Sequence, residues 1–213
     1  MAVRLSEATL AQLPESVRRP GYDRAALSAG IVHFGIGNFH RAHLARYLDA
    51  LMNRGRALDW AIVGAGVRAG EAGMRAALAR QDWLSTLVEQ SAGIRTARVL
   101  GAMIDYLPPA DASAIIERLS RSDIRIVSLT ITEGGYFLDA DDRFDPDHPD
   151  IQADLRTPDR PRTVFGMILA GLRARRAAGL APFTILSCDN ILQNGHVTRG
   201  TLTGLAQLQD PVL

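Results

Sequence analysis

The residues best placed to do chemistry lie in "IVHFGIGNFHRAH", residues 31 to 43. Gly35 and Gly37 stand one residue apart behind an apolar run, and His40 holds the position where a nucleotide-binding fingerprint usually has its third glycine. Gly35 would permit a tight turn. Gly37 would let the backbone come close to a pyrophosphate, and a helix starting near Phe39 would aim free N–H groups and its positive end at that anion. His40 cannot give the close helix–strand packing that a glycine gives. The helix is therefore expected to sit slightly farther off or to turn that side chain outward. On its own the pattern leaves two readings open, a diphosphate cradle and a plain strand-to-helix turn.

A dinucleotide site also wants a carboxylate near the end of the second strand, for the adenosine ribose. Glu71, just past "VGAGVRAG", is the candidate; the other reading is an acid favoured by a helix N-terminus. Arg68 in the same loop would flank the adenine or attract a 2′-phosphate, so NAD is favoured and NADP stays open. Other constellations fall short. His40 and His43 share a helix face, but no spaced third or fourth ligand accompanies them, and no metal is expected. "DADDRFDPD" (139 to 147) lacks the glycine and terminal glutamate of a calcium loop and reads as solvated. Ser187, Asp189 and His196 lack the G-x-S-x-G elbow of a hydrolase. All 24 basic residues counted as Lys+Arg are arginine. That removes P-loop, kinase and Schiff-base chemistry, since arginine does not surrender its proton.

The elements that must position these residues follow from the apolar pattern. The chain has 213 residues, 47% of them hydrophobic, with a net charge of +1. Such a balance gives no bulk attraction to nucleic acid or membrane. The single cysteine, Cys188, allows no internal disulfide and fits a reducing cytoplasm. No signal-like or membrane-spanning run is visible. "IVHFGI", "WAIVGAG", "IRIVSLTI" and "FTILSC" read as buried strands. "LSTLVEQ" and "RTARVLGAMI" read as strands around a turn at Gly93. Helix faces are expected from Leu44, Tyr47, Leu48 and Leu51; from Met74 and Leu78; from Ile115, Ile116 and Leu119 behind an Asp111 cap; and from Phe165, Ile168, Leu169 and Leu172. "RARR" (173 to 176) reads as the polar end of a helix, and residues 196 to 208 as helical. Residues 134 to 162 read as a surface excursion with a hairpin at its start.

Strands alternating with helices argue for a doubly wound, mostly parallel α/β sheet of the Rossmann type. Residues 1 to 29 would be an N-terminal arm and 30 to 213 the dinucleotide-binding domain. The strand ends at 35 to 40, 64 to 71, 130 to 136 and 187 to 195 are expected to converge on one crevice.

"GIGNFHRAHLARYLDAL", "DWAIVGAGVR", "QDWLSTLVE", "IRIVSLTITEGGY", "FDPDHPDIQADL" and "TVFGMILAGLRARRAAGLAPFTILSCDNILQNG" together resemble the mannitol dehydrogenase family. These are zinc-independent, long-chain polyol dehydrogenases, with fructuronate and tagaturonate reductases among them. The resemblance runs from about residue 28 onward, and a histidine at the position of His40 is normal in that family. It implies hydride transfer between NAD(H) and C2 of a polyol or ketose such as mannitol and fructose. It also implies that Gly35, Gly37, Asn38 and Phe39 lie against the dinucleotide. Glu71 would meet the adenosine ribose, with Arg68 beside it, and Thr130 and Glu133 would border the crevice. Asn190 would help polarise the reacting oxygen. The family continues into a mostly helical substrate domain whose lysine is the general acid/base. This sequence contains neither. The expectation is therefore a cofactor half that binds NAD with little or no turnover; the competing expectation is a non-catalytic NAD-binding or interaction module.

Overall fold

A computed structural model describes residues 3–66, 68–109 and 111–210. Its strands are β1 (Val17–Arg18), β2 (Ala29–Phe34), β3 (Ala61–Ala65), β4 (Ser85–Ser91), β5 (Ile94–Leu100), β6 (Met103–Tyr106), β7 (Ile126–Leu129) and β8 (Thr184–Ser187). Its α-helices are α1 (Asn38–Ala42), α2 (Leu44–Met52), α3 (Ala72–Ala79), α4 (Ala112–Ser120), α5 (Pro149–Arg156), α6 (Val164–Ala177) and α7 (Asn194–Gln209). Five strands form a sheet in the order β6-β3-β2-β7-β8, and every neighbouring pair is parallel. Every residue of β2 and β3 is buried. A parallel sheet covered on both faces requires this, and it explains runs that are apolar but for His33.

Alternation along β2 and β3 divides the core in two. Val32, Phe34, Val63 and Ala65 join Ile115 and Leu119 of α4, Phe165 and Ile168 of α6, and Leu205 of α7. Ile31 and Ile62 join Ala45, Leu48 and Met52 of α2 and Leu78 of α3. Asp111 caps α4 by accepting from the Ala114 N–H, as its position before the apolar face predicts. Among the described residues no helix is long and apolar enough to cross a membrane.

Several local expectations are corrected. Tyr47 is 60% exposed, and α2 buries Asp49 and Met52 instead of Tyr47. Met74 is also exposed, leaving Leu78 as the buried anchor of α3. The run expected as one strand through Ile104 breaks at Gly101, where a Cβ would meet Arg24, Pro20 and Tyr22 side chains at 2.9 Å. Its first part, β5, joins β4 and β1 in a separate three-stranded sheet; only β6 enters the main sheet. The excursion at 134 to 162 has the expected local pairing, Leu138 with Phe144, but also contains α5, started by Pro149 behind a His148 cap. The strand β8 is alternately exposed, as an edge strand is, where a fully buried one was expected. Arg175 of "RARR" is buried; it folds inward and donates to the carbonyls of Leu119, Arg121 and Ala181.

Candidate functional site

The chain leaves β2, builds β3 and β6 on one side of it, then returns to lay β7 on the other side. That reversal opens a crevice between the carboxyl ends of β2 and β7, where ligands of open α/β sheets bind. Gly35 ends β2 and Thr130 ends β7. The Thr130 N–H donates to the Phe34 carbonyl at 2.9 Å, and the Thr130 hydroxyl donates to the Gly35 carbonyl at 2.7 Å. Gly35 has φ +93°, and a Cβ there would lie 2.0 Å from the Thr130 carbonyl oxygen. Only glycine fits. Gly37 is different. Its φ is −81°, and nothing lies within 4 Å of the place a Cβ would take.

The ring of His40 does not turn outward. It is 1% exposed and stacks on His33 of β2 with the ring centroids 3.8 Å apart. A ring, rather than a glycine gap, therefore spaces α1 from the strand. His33 is tied at both nitrogens: Nδ1 lies 2.7 Å from the Ser128 hydroxyl, and Nε2 lies 2.9 Å from Thr130 Oγ1 and 3.2 Å from the Gly35 carbonyl. Burial pushes the His33 pKa down to about 3. Burial, then the neighbouring His33 and Arg41, hold His40 well below the usual imidazole range. Neither ring nitrogen of His40 has a hydrogen-bond partner. Both rings are thus neutral spacers. Arg41 clamps the turn, donating to the Ile36 carbonyl and to Asn38 Oδ1 at 2.6 Å each. Phe39 is 53% exposed and stacks on His43.

A cleft of about 360 Å³ brings Gly35, Arg68, Glu71 and Thr130 together. Glu71 accepts from the Tyr106 hydroxyl at 3.3 Å, and its carboxylate fills the space beside Gly66 that a Cβ would need. Arg68 is exposed at the mouth of its loop. The far wall includes Asp150 and Arg162, which no sequence pattern singled out.

The segment Thr130–Tyr136 forms the second lip, and Asp189 holds it. Its carboxylate accepts from the N–H groups of Ile131 and Thr132 at 3.0 Å each and from the Tyr136 hydroxyl at 2.7 Å. Tyr136 also meets the Ser187 hydroxyl at 2.7 Å, and burial drives its phenol pKa upward. Thr132 takes φ +65°, a costly conformation for a β-branched residue. Ser187 and Asp189, considered above for hydrolysis, are thus spent on this lip. Beyond it lies another cleft, of about 660 Å³, which holds Glu133, Asn190 and His196. The four strand ends therefore fall along two adjoining clefts. Three line the first cleft, and the end of β8 lines the second, with Thr132–Gly134 between them. Sequence reasoning missed Arg41, His33, Ser128 and the restraining role of Asp189. Asp189 carries one local signal: an acid directly after an apolar strand. Among the described residues no group of three or more metal-ligating side chains could hold a metal ion.

Comparison with known proteins agrees with this architecture. The chain is 59% identical to mannitol 2-dehydrogenase of Cereibacter sphaeroides over 202 residues, 94% of this chain and 42% of that protein. It is 44% identical to the polyol:NADP oxidoreductase of Gluconobacter oxydans, over 98% of this chain and 44% of that protein. The structure of Pseudomonas fluorescens mannitol 2-dehydrogenase, a ternary complex with NAD and D-mannitol, superposes with a TM-score of 0.95 at 47% identity, covering 99% of this chain and 43% of that one. A substrate-free D-sorbitol dehydrogenase superposes with a TM-score of 0.92 at 42% identity. The chain thus spans less than half the length of these relatives. The model of the mannitol dehydrogenase Rossmann domain matches residues 29–211, and on that match the chain belongs to the mannitol dehydrogenase family.

Proposed function

We propose that this chain is the NAD-binding part of a polyol 2-dehydrogenase that moves a hydride between NAD(H) and C2 of a mannitol-like polyol or its ketose. The observation that carries the reading is Gly37. Its backbone angles suit any residue, and no protein atom crowds its Cβ position. No packing contact calls for glycine there beyond its place as the N-cap of α1, and a ligand pressed against the turn gives the bare backbone a use. The neighbouring cleft supplies open walls on both sides of the switch point.

In this reading Gly35, Gly37, Asn38 and Phe39 lie along the dinucleotide. Glu71 receives the adenosine ribose hydroxyls and repels a 2′-phosphate, which favours NAD over NADP despite Arg68 beside it. Thr130 and Glu133 border the nicotinamide end. Asn190 donates its amide N–H to the substrate oxygen as negative charge develops on it. When bound, NAD supplies the hydride acceptor. The chain's own groups bind, orient and polarise. With no lysine in the sequence, the family's usual proton carrier is absent from these residues. The expectation is NAD binding without measurable oxidation of mannitol by the 213 residues alone.

Calorimetric titration with NAD tests the cofactor reading. Gly37→Val is expected to weaken NAD at least tenfold while lowering the stability of the free protein only by a helix-cap cost, about 1 kcal/mol. Equal NAD affinity in the variant and the parent would refute the assignment. Glu71→Gln is expected to narrow the preference for NAD over NADP.

A further inference from the structure

A third cleft lies away from the switch point, where α2 ends beside β1 and β5. It has a volume of about 450 Å³ and is lined by Arg18, Arg19, Arg46, Arg54 and Arg98, with Asp49 as the only acidic lining residue among the described residues. That volume lies in the range of small-molecule sites. The chain's net charge is only +1, so this concentration is local and not a consequence of composition.

The cleft's carboxylates are largely committed. Asp49 is 4% exposed and accepts from the Tyr22 hydroxyl at 2.7 Å, the Gly101 N–H at 3.1 Å and the Asn53 amide at 3.0 Å. Glu89 lies outside the lining and pairs with Arg98 at 3.0 Å; Arg46 Nε reaches it only at 3.9 Å. That nitrogen is buried and has no hydrogen-bond partner. Arg19 donates to a neutral acceptor, the Leu10 carbonyl. Arg18 and Arg54 make no side-chain hydrogen bond or ion pair among the described residues. Arg18 and Arg98 are register partners in the β1–β5 pair, so two cations face each other across the ladder. Like charges directly opposite destabilise a sheet. A bound anion relieves that repulsion.

We propose that this cleft binds a small phosphorylated molecule carrying two or more negative charges. Guanidinium forks match phosphate oxygens in pairs and are weakly hydrated, which suits a partly enclosed site. The arrangement joins the N-terminal segment, α2 and the small sheet, so the ligand would clamp all three together.

The test uses the whole 213-residue chain with pyrophosphate as probe, at constant ionic strength, followed by calorimetry and thermal shift. Pyrophosphate is expected to bind and raise the melting temperature. The double variant Arg18→Gln/Arg54→Gln is expected to lose at least tenfold in pyrophosphate affinity with NAD titration unchanged. Without ligand it should melt no lower than the parent, because repulsion is relieved; Arg54→Gln alone, with a smaller loss of affinity, decides the matter should the double variant not fold. The proposal is overturned by equal pyrophosphate affinity in the parent and the variant that folds. It is also overturned by no binding at millimolar pyrophosphate, by loss of binding through Gly37→Val instead, or by citrate binding as tightly as pyrophosphate.

Discussion

The two lips of the crevice are held by different physics. The glycine lip is fixed sterically: at Gly35 the backbone takes a conformation that side chains resist, and the Thr130 carbonyl occupies the space a side chain would need. The threonine lip is fixed electrostatically. A single carboxylate, Asp189, reaches from the end of β8 and gathers two backbone N–H groups and a phenol. The first device is local and written in residue type. The second is long-range and depends on strands β7 and β8 being neighbours.

The largest effect is expected from breaking the steric lip. Gly35→Val puts a β-branched residue at φ +93° with its Cβ against a carbonyl oxygen. Strain and overpacking together should cost about 3–5 kcal/mol, read as a lower urea midpoint. Asp189→Ala should cost less, about 2–3 kcal/mol, because the freed N–H groups are only partly shielded from water. It should also release Thr132 from its strained angle, worth about 1 kcal/mol in the opposite direction. Asp189→Asn keeps an acceptor and should recover about half of the loss. If Asp189→Ala proves as damaging as Gly35→Val, the two lips are not held by distinct means.

The same contrast explains what the sequence could disclose. The parallel character of the sheet was legible because β2, β3 and β7 are apolar but for His33 and Ser128, and helices separate them. The turn at Gly35 was legible because glycine marks it. The inward ring of His40 was not, since a histidine three residues into a helix carries no sign of its partner on a strand. The stack needs His33, whose direction follows only from the alternation of β2. The restraint by Asp189 was hidden likewise, since its donors lie 53, 57 and 58 residues away in the chain. The α5 helix was missed because its many aspartates and prolines outweighed Pro149 as a helix-start signal. The separation of Asn190 from Glu71 into different clefts depends on how Thr132–Gly134 crosses between them.

The glycine lip rests on two neutral imidazoles, which makes it sensitive to acid. The His33 pKa is lowered to about 3, and that of His40 is also well below its ordinary value of 6.5. The unfolded chain therefore takes up protons that the folded chain refuses. Stability is fully present above about pH 6.5 and falls as pH drops from there toward the folded values. Each histidine should contribute a slope of about 1.4 kcal/mol per pH unit between pH 6 and pH 5, above the carboxylate range. His40→Phe keeps the stacked ring and removes one titrating group. Urea unfolding at several pH values should show the variant with a shallower slope by about that amount. An unchanged slope would mean that His40 is protonated in the folded protein.

The smallest effect concerns a side chain that, with His33, joins the two lips. The Thr130 hydroxyl donates to the Gly35 carbonyl at 2.7 Å and lies 2.9 Å from His33 Nε2. Thr130→Val keeps the shape and removes those bonds, which should cost about 1 kcal/mol. The Thr130 N–H still bonds to the Phe34 carbonyl, so the strands stay paired. Coupling between the two lips can be read from a double variant. If the hydroxyl joins the lips only through His33, the double variant Thr130→Val/His33→Phe should cost less than the two single losses added, by about 0.5–1 kcal/mol. Additive losses would mean that the steric and electrostatic lips stand independently, with Thr130 serving the glycine turn alone.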